Sequence, residues 1–257
     1  MKTVKKIVAI ILIFSLFNCA TINSLNTSYS SYKSEDFNKE KLLNSKLAVL
    51  PILTDDAKYE GLKRNAGNTL IIELKKNSYN LVAPIDVINK INDADLSDSY
   101  ADMMKTYRET GILNKNSMKL IASTVDSRYL LYSRLNAAYT AQTKSYDDFG
   151  NYTSEVLEVQ LYCQIWDSEK GDIVWEGYGG SAKLLSSDNK IDYVLDESIR
   201  NLALEIGSEP KDRKETALNI HNQAQSNKAG AVVITSIIII GVTFFILYQT
   251  RQDTQYE

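Results

Sequence analysis

Few residues of this chain have the types and spacing that chemistry requires. His221 is the single histidine among 257 residues, and it falls in a polar stretch with no apolar period. A histidine-based triad or metal cluster inside a folded domain is thereby excluded. Cys163 occupies an apolar position of an alternating segment, which predicts a buried, inert thiol rather than a nucleophile. Gly177, Gly179 and Ala182 match the G-x-G-x-x-A spacing of dinucleotide-binding turns. That fingerprint has to open directly into a helix within a βαβ unit. Strand-like residues follow instead, so the glycines are expected to mark a bulge or bend at a strand end. Asp93, Asp95 and Asp98 lack the turn glycine and closing glutamate of a calcium loop, and Asp55-Asp56 and Asp147-Asp148 fall in polar loops. No catalytic residue, metal ligand or cofactor is assigned. A ligand- or nucleotide-binding domain, or an enzyme, using residues 177–182 is the alternative function.

What remains is surface chemistry. Tyr162, Trp166, Trp175 and Tyr178 cluster on two consecutive strand-like segments. Aromatics on the outer face of a hairpin can anchor a partner, or they can pack beneath a covering helix. These four are the candidate partner-facing residues.

The elements that must position them follow from periodicity. Leu157, Val159, Leu161, Cys163 and Ile165 alternate with Glu158, Gln160, Tyr162, Gln164 and Trp166. This predicts an antiparallel strand over 155–166 with one face on the core and one facing water or a partner. The DSEKGD turn, with Gly171 free to take positive φ, returns the chain as a strand over 173–183. A strand over 128–139 precedes them, joined by a polar loop at 140–154. Upstream, the apolar run 46–53 reads as a strand buried on both faces, with Pro51 near its end. Leu62, Ala66, Leu70 and Leu74 recur every four residues of a helix over 59–76, with Lys63, Arg64 and Glu73 turned elsewhere. Residues 79–83 form a short strand, and Pro84 opens a helix on which Ile85, Ile88 and Ile91 share a face. Helices follow at 100–110, stopped by Gly111, and at 117–125. A last amphipathic helix, capped by Asp188 or Asn189, carries Ile191, Leu195, Ile199, Leu202 and Ile206. The expected fold is a compact α/β sandwich, β-α-β-α-α-α-β-β-β-α, with a mixed sheet.

The ends place this domain at a membrane. Lys2, Lys5 and Lys6 precede an apolar run of residues 7–17, the pattern of an export signal over 1–18. The LFNCA sequence ending at Ala20 resembles the lipobox of bacterial lipoproteins, which implies acylation of Cys19. Residues 19–44 read as a tether and 45–207 as the domain. Residues 208–228 form a polar linker, 229–248 a transmembrane helix and 249–257 a tail. The span carries no charge and is ~30 Å long at the helical rise, the thickness of a bilayer core. With lipid outside the cytoplasm, the domain faces the periplasm. The apolar helix favours the inner membrane, whereas Ala20 after Cys19 would favour the outer membrane by enterobacterial sorting. A formal charge of −3 offers no basic field for nucleic acid. After Cys19 only Cys163 remains, so the mature chain has no intrachain disulfide.

Order and local pattern over roughly residues 41–207 resemble the CsgG-like and TolB-N-terminal-like envelope proteins. The resemblance rests on KLAVLPIL, the helix at 59–76, YNLVAPIDVINKI, MKLIASTVDSRYLLYSRLNAAY, the strand at 155–166 and EKGDIVWEGYGG. The helix at 100–110 looks like an insertion, and the C-terminal span departs from the pattern of a curli-type pore. The resemblance implies a non-enzymatic lipoprotein, an assembly, scaffold or export-associated module. Its implied partners are further copies of itself or other envelope proteins.

Overall fold

The computed structural model describes residues 25–54, 57–147, 150–184 and 191–210. Its frame is a seven-stranded mixed sheet in the order β1-β7-β6-β5-β2-β4, with β3 also paired to β5. The strands are β1 (Leu25–Lys33), β2 (Lys46–Val49), β3 (Leu53–Thr54), β4 (Asn80–Val82), β5 (Tyr129–Asp147), β6 (Gly150–Asp167) and β7 (Asp172–Leu184). The helices are α1 (Lys39–Leu43), α2 (Leu62–Lys76), α3 (Pro84–Asp93), α4 (Ser97–Thr110), α5 (Lys115–Thr124) and α6 (Ile191–Glu205). Parallel pairing joins β2 to β4 and β5, and β3 to β5. The β5–β6, β6–β7 and β7–β1 pairs are antiparallel.

Helices cover both faces of the β5–β2–β4 half. Leu47, Ala48, Val49 and Leu50 have no exposed surface, as expected of a strand covered on both sides. Leu47, Val49 and Leu131 pack with α2 and α6 in one core layer, which includes the whole apolar set Leu157 to Ile165 of β6. Ala48, Leu50, Leu130 and Tyr132 pack with α3, α4 and α5 in the second layer. Local chemistry sets the helix ends. Pro84 lies in the first turn of α3, the Asn114 side chain caps α5, and Gly111 ends α4 in the left-handed region at φ 71°.

Five expectations change. Residues 25–33 belong to no tether: they form β1, which pairs with β7 from Leu25↔Ala182 to Lys33↔Trp175 and closes one edge of the sheet. An edge strand whose inward residues are serines needs no apolar alternation, and Ser30 is fully buried. The polar loop at 140–154 is instead the far end of the β5–β6 hairpin, paired to Asp147↔Gly150. Its run of Thr, Tyr and Ser has the propensity for it. On α3 the inward face is Val87 and Ile91, four apart, while Ile85 and Ile88 are exposed. Glu73 is buried, its carboxylate 2.7 Å from Lys76 Nζ and 3.9 Å from Arg200 Nε on α6. The domain also runs past residue 207, since Pro210 bridges to Ser30 and Glu209 pairs with Lys33.

Among the described residues no helix is long and apolar enough to cross a membrane. The signal over 1–18, Cys19, Asp55-Asp56, the cap at Asp188 or Asn189, His221, the rest of the linker, the span over 229–248 and the tail lie outside the described residues.

Candidate functional site

The two faces of β7 have different jobs, and glycine spacing separates them. Gly177 and Gly179 lie opposite Cys163 and Leu161, on the face toward α6. A Cβ on Gly179 would come within 2.5 Å of Leu202 Cβ and closer still to the Ser198 carbonyl oxygen. A Cβ on Gly177 would sit 2.5 Å from the Trp175 indole. These glycines let α6 and the indole lie directly on the sheet. Ser198 completes the contact: its Oγ lies 3.0 Å from the Val159 carbonyl and 2.9 Å from that of Val194. The G-x-G-x-x-A segment is therefore mid-strand and roofed by a helix, with no helix opening from it and no cradle for a pyrophosphate. The glycines mark close packing rather than a bend.

On the opposite face the residue set changes. Glu176 and Tyr178 of β7, Gln160, Tyr162 and Gln164 of β6, and Thr27, Tyr29 and Ser31 of β1 share it. The rings touch in sequence across the strands. Tyr29 and Tyr178 stack with centroids 5.1 Å apart and planes at 21°. Tyr178 meets Tyr162 at 4.9 Å, and Tyr162 meets Tyr132 edge-on at 6.4 Å. Tyr132 stacks on Trp166 at 5.1 Å, and Tyr107 of α4 meets Trp166 at 4.9 Å. Each such pair adds ~0.5–1.5 kcal/mol beyond its buried area. The row begins under α4 and ends at the edge strand. Tyr107, Tyr132 and Trp166 are buried there, whereas Tyr162, Tyr178 and Tyr29 are half-buried. Among the described residues no helix covers that end: α3, α4 and α5 pack on the other half of this face, and α6 is on the reverse.

A hydrogen-bonded relay ties the covered and open ends together. The Tyr107 hydroxyl donates to Gln164 Oε1, which also accepts Trp166 Nε1–H at 3.0 Å. Gln164 Nε2 donates to Glu176 Oε2 at 3.1 Å, and the Tyr162 hydroxyl donates to the same oxygen at 2.6 Å. Glu176 Oε1 accepts from the Ser31 hydroxyl at 2.7 Å. Burial, and then the neighbouring Glu176 charge, push the Tyr162 phenol far above its ordinary range. Burial does the same to Tyr107. Both are hydrogen-bonding phenols with no role as acids near neutral pH.

Of the four aromatics read as partner-facing, the structure separates two from two. Tyr162 and Tyr178 lie on the open end. Trp166 and Trp175 have no exposed surface and belong to opposite core layers, so neither faces a partner. Tyr29 joins the site from β1 and was hidden by the tether reading. The β-prone Thr27, Tyr29 and Tyr32 of LNTSYSSYK were the signal for it, without any apolar period. Cys163 is fully buried and its thiol is pushed up by burial, as its position on the apolar face predicts. Among the described residues no group of three or more His, Cys, Asp or Glu could hold a metal ion.

No family model matches the chain, and no curated protein matches it. Solved structures do. One is the PelC dodecamer from Paraburkholderia phytofirmans, 14% identical, with a TM-score of 0.38, covering 72% of this chain and 99% of that one. A second is lipoprotein GNA1162 from Neisseria meningitidis, 17% identical, with a TM-score of 0.32, covering 59% of this chain and 90% of that one. A third is the LpoB C-terminal domain from Escherichia coli, 19% identical, with a TM-score of 0.29, covering 55% of this chain and 90% of that one. The mixed α/β architecture stands on the strand pairing and core layers described above.

Proposed function

We propose that this chain is a membrane-anchored lipoprotein of the bacterial envelope, an assembly, scaffold or export-associated module without catalysis of its own. It works by associating with further copies of itself or with other envelope proteins. The observation that carries this reading is the row of half-buried tyrosines on the uncovered part of the described sheet. Tyrosine supplies large, stiff, amphipathic contact area and is enriched in the anchoring residues of protein interfaces. The CsgG-like and TolB-N-terminal-like reading rests on the sequence pattern over residues 41–207, to which the structure adds a mixed α/β fold.

Anchoring is argued from the sequence. The basic, apolar start and Cys19 fit export and acylation, and acyl chains contribute ~0.8 kcal/mol per buried CH₂. The apolar helix over 229–248 would hold the C-terminal end in the inner membrane, with the domain in the periplasm. The outer membrane is the other destination. Two measurements on the full chain test the reading together. Cys19→Ala should abolish labelling by a palmitate analogue and leave an uncleaved precursor. Light scattering on the detergent-extracted chain should show a particle heavier than one copy, or a co-purifying envelope protein. Unchanged labelling of Cys19→Ala sinks the lipoprotein, and a strictly monomeric, unaccompanied particle sinks the association.

A further inference from the structure

Glu176 stands among the tyrosines of the open face, and its hydrogen bonds have a particular composition. Its three donors are neutral: the Tyr162 hydroxyl, the Gln164 amide and the Ser31 hydroxyl. A carboxylate has about four acceptor sites. Two donors occupy Oε2 and one occupies Oε1, which leaves Oε1 able to accept another. The residue is half-buried, so its charge is only partly screened by water and is felt more strongly than a surface charge. Glu158, on the same face of β6, is buried and already engaged, accepting from Gln160 Nε2 at 2.6 Å. Arg134, across from Tyr162 on β5, is already engaged. Glu176 is thus the carboxylate that the open end presents among its tyrosines.

Resting on the reading of this face as an association surface, we infer that it docks a cationic protein segment. An arginine or lysine of the partner pairs with Glu176, and its apolar side chains lie on Tyr29, Tyr178 and Tyr162. Charge complementarity selects this occupant. A like-charged segment would meet the Glu176 carboxylate, whereas a purely apolar one would cover Glu176 and leave a charge in low dielectric without a counter-charge. A guanidinium has donors enough to reach both Glu176 Oε1 and a tyrosine hydroxyl.

The test uses the full chain in detergent and a dye-labelled twelve-residue peptide of alternating Arg and Leu, with a Glu-for-Arg peptide as control. Fluorescence anisotropy should show saturable binding of the arginine peptide and none of the glutamate peptide. Glu176→Gln keeps the side chain's size and its hydrogen-bonding oxygen and should weaken binding at least tenfold. Thr27→Lys, at a half-buried edge position beside Tyr29, places a fixed positive charge on the face. It should weaken binding as much, and it keeps the test open should Glu176→Gln fail to fold. Binding by both variants within twofold of the parent overturns the inference, as does equal binding of the two peptides. Light scattering on the same samples separates the two levels. A chain that still associates while Glu176→Gln binds the peptide unchanged refutes the cationic segment alone. A chain that never associates refutes the reading beneath it.

Discussion

Gly179→Ala adds one methyl group where α6 lies on β7. The new Cβ would stand 2.5 Å from Leu202 Cβ and nearer still to the Ser198 carbonyl oxygen. Carbon atoms pack at about 3.5–4.0 Å, so the helix must retreat by ~1 Å. A gap of that size forfeits about a quarter to a half of each contact's well depth. The helix residues that lose it are Val194, Leu195, Ile199, Leu202 and Ala203, all buried. Overpacking of this kind costs about 1–3 kcal/mol. Helix backbone, which cannot rotate aside, puts Gly179→Ala at the upper end, about 3 kcal/mol. For a domain of this size that corresponds to a fall in Tm of about 6–12 °C. Trp175 is fully buried in the same core layer as α6, so its fluorescence during urea or thermal unfolding reports the change. Gly180→Ala is the comparator. Its Cβ would meet the Thr27 hydroxyl at 2.6 Å, a side chain that can turn away, and it should cost about 1 kcal/mol. A Gly179→Ala protein within about 1 kcal/mol of the parent, the lower end of the overpacking range, would refute the close-packing account of this glycine and reopen it as part of a ligand site.

Gly67→Ala should act in the opposite direction. Gly67 lies inside α2, and a Cβ there would meet nothing within 4 Å. Relief of glycine's helix penalty should raise stability by about 1 kcal/mol in urea titration. Alkaline pH should unfold the domain through its phenols. Burial raises Tyr79, Tyr107 and Tyr162 above their ordinary range, so folding favours their protonated forms. Their contribution is fully present below pH ~10, the unfolded value, and is lost as pH rises above it. Tyrosinate absorbance should show these three ionising only together with the loss of tryptophan emission, and early ionisation would contradict their burial. The Cys163 thiol is buried and shifted up, so a thiol reagent should reach it at mildly alkaline pH only after denaturation, which peptide mass mapping can check.

Much of the fold was legible because burial writes a period into the chain. The alternation from Leu157 to Ile165 gave β6 its inward face, and Leu70 and Leu74 gave α2 its own. The period is silent where neither face needs apolar residues. In β1 the serines at 28 and 30 sit close under neighbouring elements, with Ser28 Oγ 3.2 Å from Glu205 Oε1, and no apolar stripe announces a strand. The same silence hid the paired outer part of the β5–β6 hairpin. On α3, three isoleucines mimic a face, yet the sheet takes Val87 and Ile91, because tertiary contact decides which of two apolar stripes turns inward. The candidate site was half visible. Alternation placed Tyr162 on the face opposite to that of Cys163, but whether an outward aromatic meets water, a helix or a partner depends on which strands the helices cover. That is why Trp166 is fully buried beneath α4 while Tyr162 is half-buried at the margin of the same cluster. Glu176 gave no local signal, since its role comes from its contacts with Tyr162, Gln164 and Ser31 across neighbouring strands.

The central claim is that the open tyrosine face contacts protein in the cell. Benzoylphenylalanine in place of Tyr178 tests it, with the same photo-crosslinker in place of Tyr193 as the reference, an exposed position on α6 on the reverse side. The account expects a discrete, light-dependent protein adduct from position 178 and none from position 193. No adduct from 178, or the same adducts from both positions, would contradict it.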